Sequence, residues 1–410
     1  MIAKNIAYLY VIQLLRLCLP LALLSILTGV LTEPQYSVYV YTLATSAWLS
    51  ILVEYGFNVS ATRRIAAAIA KPEATRAVIV ETQSAKWMLA GASLLFLVWA
   101  LAQSTVFASY EEWALCAWLL GVMIGMTPTY YYQGTSSLRI VAVLEVVGGL
   151  LTFASAFFLV RSSADFGVLC LTLIAVRLII WQTLERRMFI LGRLRFSETL
   201  ASRPGRAALR DGWQIFLVQA AASLYTSFNV VLLGGISSPY AVALYGSSER
   251  LIRAGLAFIA QASSAIFPKL NALKANEPEQ LGRIRRLTLI AFTLGSLASL
   301  PLLYLLAPTI SEVLFNNKLP DLPQVIRTMS LVIPAIAISN VLAMQFLVVD
   351  HQERILNRVV FSAVPISLVC GYALSLSNGA TGMATAWVAV EWYVSISLAA
   401  IVYRRSKRSQ

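Results

Sequence analysis

Histidine is almost missing from this 410-residue sequence: His351 is the single one, and it lies in a basic gap between apolar stretches. That leaves little with which to build a zinc site or imidazole acid–base chemistry. Cysteine is scarce as well. Cys18, Cys116, Cys170 and Cys370 each fall inside an apolar stretch with no CxxC spacing, so they read as small buried hydrophobes rather than disulfides or metal ligands. Charge is the third shortage, at 12% of residues against about 25% in ordinary soluble domains. The motifs of nucleotide and hydrolytic chemistry are absent too: there is no GxxxxGK[ST], no HExxH, no GxSxG and no acidic pair at metal-ligand spacing. These gaps argue against an enzyme, against ATP-driven transport through a P-loop and against a bound cofactor.

What fills the chain is apolar: 59% of residues are hydrophobic and the mean hydropathy is +0.74. About twelve stretches of 18 or more mostly apolar residues can be marked, near 7–30, 38–59, 84–104, 113–134, 140–160, 166–185, 212–236, 242–268, 287–307, 327–349, 359–377 and 381–403. Each approximates the 20 or so residues that cross about 30 Å of hydrocarbon as a helix. The first run is too long for a signal-peptide h-region and is expected to stay as the first span. No gap is long enough for a folded extramembrane domain.

The net charge of +13 is sorted by position. Gaps near 60–86, 186–210, 269–286 and 404–408 are strongly basic, whereas those near 31–37, 105–112, 161–166, 308–325 and 377–380 hold only Arg161 and Lys318 among cations. A nucleic-acid binder gathers its charge on one folded face; here it alternates loop by loop, as in a polytopic membrane protein whose positive loops stay in the cytoplasm. Both termini are therefore expected in the cytoplasm, with the basic loops attracted to anionic membrane lipid. The segments Arg63–Lys86 and Glu185–Asp211 read as topology-determining loops. The second carries seven arginines around Pro204-Gly205 and divides the chain into residues 1–198 and 199–410, six spans each. A faint repeat supports the halves: Thr28-Gly29 then Pro34-Gln35-Tyr36, and Gly234-Gly235 then Pro239-Tyr240. With even span numbers such a repeat is parallel, the hardware of alternating access.

Charges at membrane depth are costly, roughly 2.5–3.5 kcal/mol each on insertion scales, so each invites a functional reading. Arg16 lies mid-span in the first stretch; Arg250 and Arg253 lie in the eighth, one turn apart on one helical face. Arg177, Glu54, Glu145, Glu249 and Glu391 are the others. They read either as structural ion pairs and snorkelling side chains, or as function. If Arg16, Arg250 and Arg253 face one hydrated cavity, it is electropositive, and guanidinium forks suit a phosphate or pyrophosphate. The four glutamates are candidates for gating or ion coupling, with H⁺ and Na⁺ both open.

Three motifs carry a resemblance. Glu54-Tyr55-Gly56-Phe57-Asn58-Val59-Ser60-Ala61-Thr62-Arg63-Arg64, Pro128-Thr129-Tyr130-Tyr131-Tyr132-Gln133-Gly134, and Tyr245-Gly246-Ser247-Ser248-Glu249-Arg250-Leu251 with Phe267-Pro268-Lys269-Leu270 stand in the order and spacing of Wzx-type O-antigen flippases. These are the polysaccharide-transporter branch of the multidrug/oligosaccharidyl-lipid/polysaccharide exporter (MOP) superfamily. The resemblance covers the whole chain, departing where Glu54 replaces a commoner Asp and where the span-four triplet is all Tyr. It implies an all-α integral membrane protein whose two six-helix lobes form a V-shaped central cavity. It implies a multi-pass protein of the bacterial inner membrane that carries undecaprenyl-diphosphate-linked oligosaccharide from the cytoplasmic to the periplasmic leaflet. An O-antigen polymerase and a chain-length regulator are the protein partners it suggests. Tyr130, Tyr131, Tyr132 and Gln133 could stack on or bond sugars, or the rings could form an interfacial belt. Two other readings remain: a drug or metabolite antiporter of the same superfamily, which should put acids in the cleft, and a non-transporting scaffold for glycan assembly.

Overall fold

A computed structural model describes residue 15 and residues 18–408, and among them there are helices but no strands. Eight helices or helix pairs are long and apolar enough to cross a membrane, and a ninth candidate is a pair bent by 56° between Arg203–Thr226 and Asn229–Ile236. The apolar window of Glu279–Phe315 is only 6% buried, so its leucines must face lipid. Leu95, Leu171 and Leu305 project from three different helices with more than two-thirds of their surface open, which water would penalise and hydrocarbon does not.

The helices fall into two compact units, Met1–Ser223 and Leu224–Gln410. In the first, α1 (Cys18–Val30) is the described part of the expected first span. Then come α2 (Glu33–Glu54), α3 (Phe57–Ala68), α4 (Pro72–Ala92), α5 (Leu94–Gln103), α6 (Glu111–Met126), α7 (Thr129–Gly134), α8 (Arg139–Leu159), α9 (Phe166–Leu191) and α10 (Ser202–Thr226), which runs across the boundary. The start of α2 is set locally: Gln35 Oε1 accepts the Thr32 N–H at 3.2 Å, and Pro34 has no amide to waste in the first turn. Its end is set by two consecutive left-handed residues, Tyr55 (φ 52°) and Gly56 (φ 77°). A side chain at Gly56 would be strained by its φ and would lie 2.8 Å from Ile215 Cγ2.

Helices α2 and α6 form the tightest pair of this unit. Gly121 and Gly125 stand four apart on α6, and a Cβ on Gly125 would meet Val53 Cβ at 2.5 Å. Small residues at this spacing let two backbones touch where lipid offers no hydrophobic drive to hold helices together. Gly134 performs the same service between α7 and α3, with Ile65 Cγ2 2.6 Å from its would-be Cβ.

The start of α4 corrects the sequence reading. Residues 63–86 are not one basic loop: Pro72 and Glu73 open a helix at its N-terminal turn, so Lys86 lies well inside it. The following basic segment is also built in, since Arg76 on α4 bonds Glu198 at 2.7 Å, and that hydrogen bond holds the Glu198 carboxyl below its usual range. Of the four cysteines Cys116 and Cys170 are buried as expected, but Cys18 is exposed.

The second unit contains α11 (Asn229–Ile236), α12 (Pro239–Asn276), α13 (Pro278–Phe315), α14 (Leu322–Ser330), α15 (Val332–Val341), a π-helical stretch Leu342–Val348, and α16 (Glu353–Arg408). Ser238 caps α12 by accepting the Ala241 N–H at 3.2 Å, with Pro239 in the first turn. α16 is two helices in one run. Gly379, at φ 51° and ψ −124°, breaks it, and a Cβ on Gly382 would sit 2.0 Å from Leu374 O. The hydroxyls of Ser362 and Tyr393 meet at 2.9 Å and Val359, Ala363, Val390 and Val394 share a core, so the two arms run antiparallel.

Candidate functional site

Among the described residues, the charges predicted at membrane depth fall into two polar clusters, one in each unit. In the second unit the centre is Arg253 on α12. Glu249, one turn earlier and 7% exposed, takes Arg253 Nε at 2.9 Å and Nη2 at 2.7 Å on the same oxygen. Nη2 also donates to the Thr226 carbonyl. That acceptor is available because α10 ends there, leaving terminal carbonyls without helical donors. The guanidinium lies 5.3 Å from the Trp387 ring centroid, and Trp387 Nε1 donates to Glu391 Oε1 at 3.2 Å. Glu391, 4% exposed, adds a second carboxylate acting on Arg253. Tyr245, one turn before Glu249, is wholly buried and accepts a bond from Asn229 Nδ2 at 3.0 Å.

So of the second unit's predicted residues the structure brings together Glu249, Arg253 and Glu391. Arg253 is not a bare cation: it is the middle of an acid–arginine–acid set, yet 39% of its side chain stays open. Arg250 shares the helix, half-buried and engaged within the fold. Arg16 lies outside the described residues.

The first unit holds the other cluster, and its key member is Lys86, with no exposed surface at all. Its Nζ donates to the Thr127 carbonyl at 3.2 Å and sits 5.0 Å from the Tyr130 ring centroid. Thr127 can accept because Pro128 and the turn after α6 interrupt the helix. Its hydroxyl takes a second cation, Arg177 Nη2, at 2.9 Å, while Arg177 Nη1 bonds Glu145 at 2.8 Å. Glu54 and Glu185 are the carboxylates that act on Lys86. Glu185 is buried and bonded by Gln83 Nε2 at 3.0 Å. Glu54 also has local work, accepting the Asn58 N–H at 3.1 Å at the start of α3.

The tyrosine triplet is placed inside the protein. Tyr130, Tyr131 and Tyr132 are all buried in a core with Phe57, Ile65, Leu184 and Met188. Tyr132 Oη donates to Leu184 O at 2.7 Å and Tyr130 Oη points to Met188 Sδ at 3.7 Å. Neither stacking on a sugar nor lying in an interfacial belt fits rings packed in this way. The physical reason is α7, a six-residue helix that folds the triplet back onto α3 and α9. Gln133 is the member of the motif that is exposed.

Sequence reading missed Lys86, Glu185 and Thr127. The available signal was Pro72-Glu73, a helix start that places Lys86 four turns in, whereas the apolar stretch read from hydropathy opens only at residue 84. It also missed the pairing of Glu249 with Arg253, although their spacing of four is legible.

The family described as "Polysaccharide biosynthesis protein" matches residues 2–274. A Shigella dysenteriae protein named "Putative O-antigen transporter" is 25% identical over 386 residues, 93% of this chain and 94% of its own length. An Escherichia coli K12 protein of the same name is 22% identical over 423 residues, covering 98% and 97%. Among solved structures, the inward closed conformation of the lipid II flippase MurJ superposes with a TM-score of 0.75 at 10% identity, over 98% of this chain and 88% of that one. An inward-facing multidrug resistance MATE family transporter of the MOP superfamily gives 0.71 at 14% identity, over 96% and 94%. At such identities the two structures establish the fold and nothing finer.

Proposed function

The chain belongs to the polysaccharide biosynthesis protein family, and from that premise we propose that it is a flippase for lipid-linked polysaccharide units rather than an enzyme. The relatives that share nearly its whole length are named for O-antigen transport. The observation that carries the reading is Arg253: a guanidinium held within an apolar helical unit by Glu249 and Trp387, with part of its surface open. A cargo of sugars and phosphate cannot cross hydrocarbon unaided. A guanidinium, always charged and planar, is suited to meet the phosphate end of such a cargo.

In this reading the cargo is an undecaprenyl-diphosphate-linked O-antigen unit, moved from the cytoplasmic to the periplasmic leaflet of the inner membrane. This reading counts twelve spans, the eight apolar helices or pairs plus the bent pair α10–α11, α1, α12 and a second span from the division of α16 at Gly379, and it assigns six to each lobe and both termini to the cytoplasm on the Lys/Arg bias of the gaps. Alternating access would expose the cargo to each side of the membrane in turn. In this reading Arg253 meets the diphosphate, Arg250 on the same helix and Arg16, outside the described residues, being the other arginines expected there from the sequence, and Gln133 is the residue of the span-four motif left to reach sugar. Of the four carboxylates, Glu249 and Glu391 are best placed to answer H⁺ or Na⁺, because they bear on the arginine that holds cargo. Glu145 and Glu54 are tied to Arg177, Asn58 and Lys86.

Deleting the protein in a strain with no substitute flippase is expected to remove surface O-polysaccharide while its lipid-linked unit accumulates on the cytoplasmic side; gel analysis of the polysaccharide and extraction of the lipid intermediate check both. Normal surface polysaccharide refutes the assignment. Drug sensitivity with intact polysaccharide would move the reading to an antiporter. Orientation has its own test. Reporter fusions after residues 75, 198, 276 and 406 should sit in the cytoplasm, and those after 35, 109, 164, 238, 315 and 378 in the periplasm, following the Lys/Arg bias of the gaps. A periplasmic signal at 198 overturns the two-lobe arrangement.

A further inference from the structure

Pro308 lies inside α13 and has no amide hydrogen, so the carbonyl four residues back, on Tyr304, loses its helical donor. Arg327 on α14 replaces that donor: its Nε bonds Tyr304 O at 3.1 Å. The same guanidinium stacks on the Tyr304 ring, 4.4 Å from the centroid. One edge and one face of the planar group are thereby fixed. Neither Nη1 nor Nη2 makes a hydrogen bond or ion pair among the described residues.

Arg327 and Tyr304 belong to the wall of an open cleft of about 650 Å³, completed by apolar surface from Leu300, Pro301, Leu305 and Leu331. The cleft lies on the lipid-facing side of the unit: Leu305 is 73% exposed, Tyr304 55% and Leu331 45%. An unused guanidinium fork on such a surface calls for an anion that arrives by way of the bilayer. Depth narrows the choice. Arg327 is five residues beyond Leu322, the first residue of α14, and at about 1.5 Å per residue that is some 7 to 8 Å along the helix axis, the zone where headgroup meets acyl chain. Charge narrows it further. A single guanidinium matches the single negative charge of a phosphodiester, whereas a diphosphate would stay under-compensated.

We propose that this cleft binds an anionic glycerophospholipid, its phosphodiester on the Arg327 fork and an acyl chain along Leu300, Leu305 and Leu331. Placing the lipid in the periplasmic leaflet rests on the orientation proposed above; the binding itself does not.

The test is native mass spectrometry of the purified full-length protein, titrated separately with dioleoylphosphatidylglycerol, dioleoylphosphatidylcholine and undecaprenyl diphosphate. Phosphatidylglycerol should bind more tightly than the zwitterionic lipid. Arg327→Gln should weaken it about 10-fold or more, and Arg327→Lys, which keeps charge but loses the fork, by less. Leu305→Trp fills the cleft from an exposed position and should weaken the same binding with Arg327 intact, so it decides the question if Arg327→Gln is poorly inserted. Equal phosphatidylglycerol affinity in wild type, Arg327→Gln and Leu305→Trp overturns the proposal. Arg327-dependent binding that favours undecaprenyl diphosphate assigns the cleft to cargo instead and overturns it as well. Polysaccharide export, assayed in the same variants, reports separately on the flippase reading.

Discussion

Arg253→Ala is expected to abolish polysaccharide export and to lower the amount of protein in the membrane. Both follow from one geometry. Glu249 is 7% exposed and, among the described residues, both hydrogen bonds to its carboxylate come from Arg253 on one oxygen, so removing the guanidinium strands a buried carboxylate. Breaking a buried pair by deleting one partner costs about 3–5 kcal/mol. With 39% of the Arg253 side chain open to solvent, the lower end applies. Loss of protein alone would not speak to cargo, and a double variant separates the two effects. Arg253→Met with Glu249→Gln removes the paired charges and leaves only Glu391, which keeps its bond from Trp387, so membrane level, read by immunoblot, should largely recover. Export, read from surface polysaccharide, should stay lost if the guanidinium meets the cargo phosphate. Recovery of export along with protein level would reduce Arg253 to a structural partner. Arg253→Lys keeps the charge without the planar fork and should export in part.

Lys86→Met is expected to have the largest effect on stability of any single substitution in the first unit. The lysine has no exposed surface, and its loss frees the Thr127 carbonyl and leaves Glu185 and Glu54 without their cation. Methionine fills similar space, so the loss is electrostatic rather than a cavity, again about 3–5 kcal/mol for an uncompensated buried charge. The unfolding temperature in detergent and the membrane level should both fall, and adding Glu185→Gln should restore part of each. A Lys86→Met protein with wild-type melting would mean that Glu185 is neutral and that Gln83 suffices to hold it.

Class and element type were legible from the chain alone, because apolar runs of span length separated by sorted charge admit few other folds. The gap at 377–380 and Pro239 marked boundaries that the structure keeps, at the break of α16 on Gly379 and at the start of α12. Lys86 was hidden because hydropathy gives every lysine the same penalty, whether it ends a loop or sits four turns inside a helix. Tyr130 to Tyr132 were unreadable for a different reason: an aromatic triplet has the same composition at an interface, in a cleft or in a core, and only α7 decides. The Glu249–Arg253 pair is legible at a spacing of four, but the same spacing rule also leaves Arg250 and Arg253 readable as two free cations on one face. Arg327 stands near the edge of its span, where an arginine reads as a snorkelling residue; its bond to the carbonyl freed by Pro308 exists only in three dimensions.

The burial of Lys86 also constrains how the protein is made. A lysine at the centre of a helix leaving the translocon costs about 2.5–3.5 kcal/mol by itself, and synthesis delivers the chain N-terminus first. Glu54, on α2, precedes α4 in the chain, whereas Thr127 and Glu185 follow it and reach the membrane later. Helix α2 therefore has to wait beside the insertion site and receive Lys86 before the later partners arrive to enclose it. The order of charges along the chain thus doubles as an order of assembly, with a carboxylate made first to meet the cation that follows.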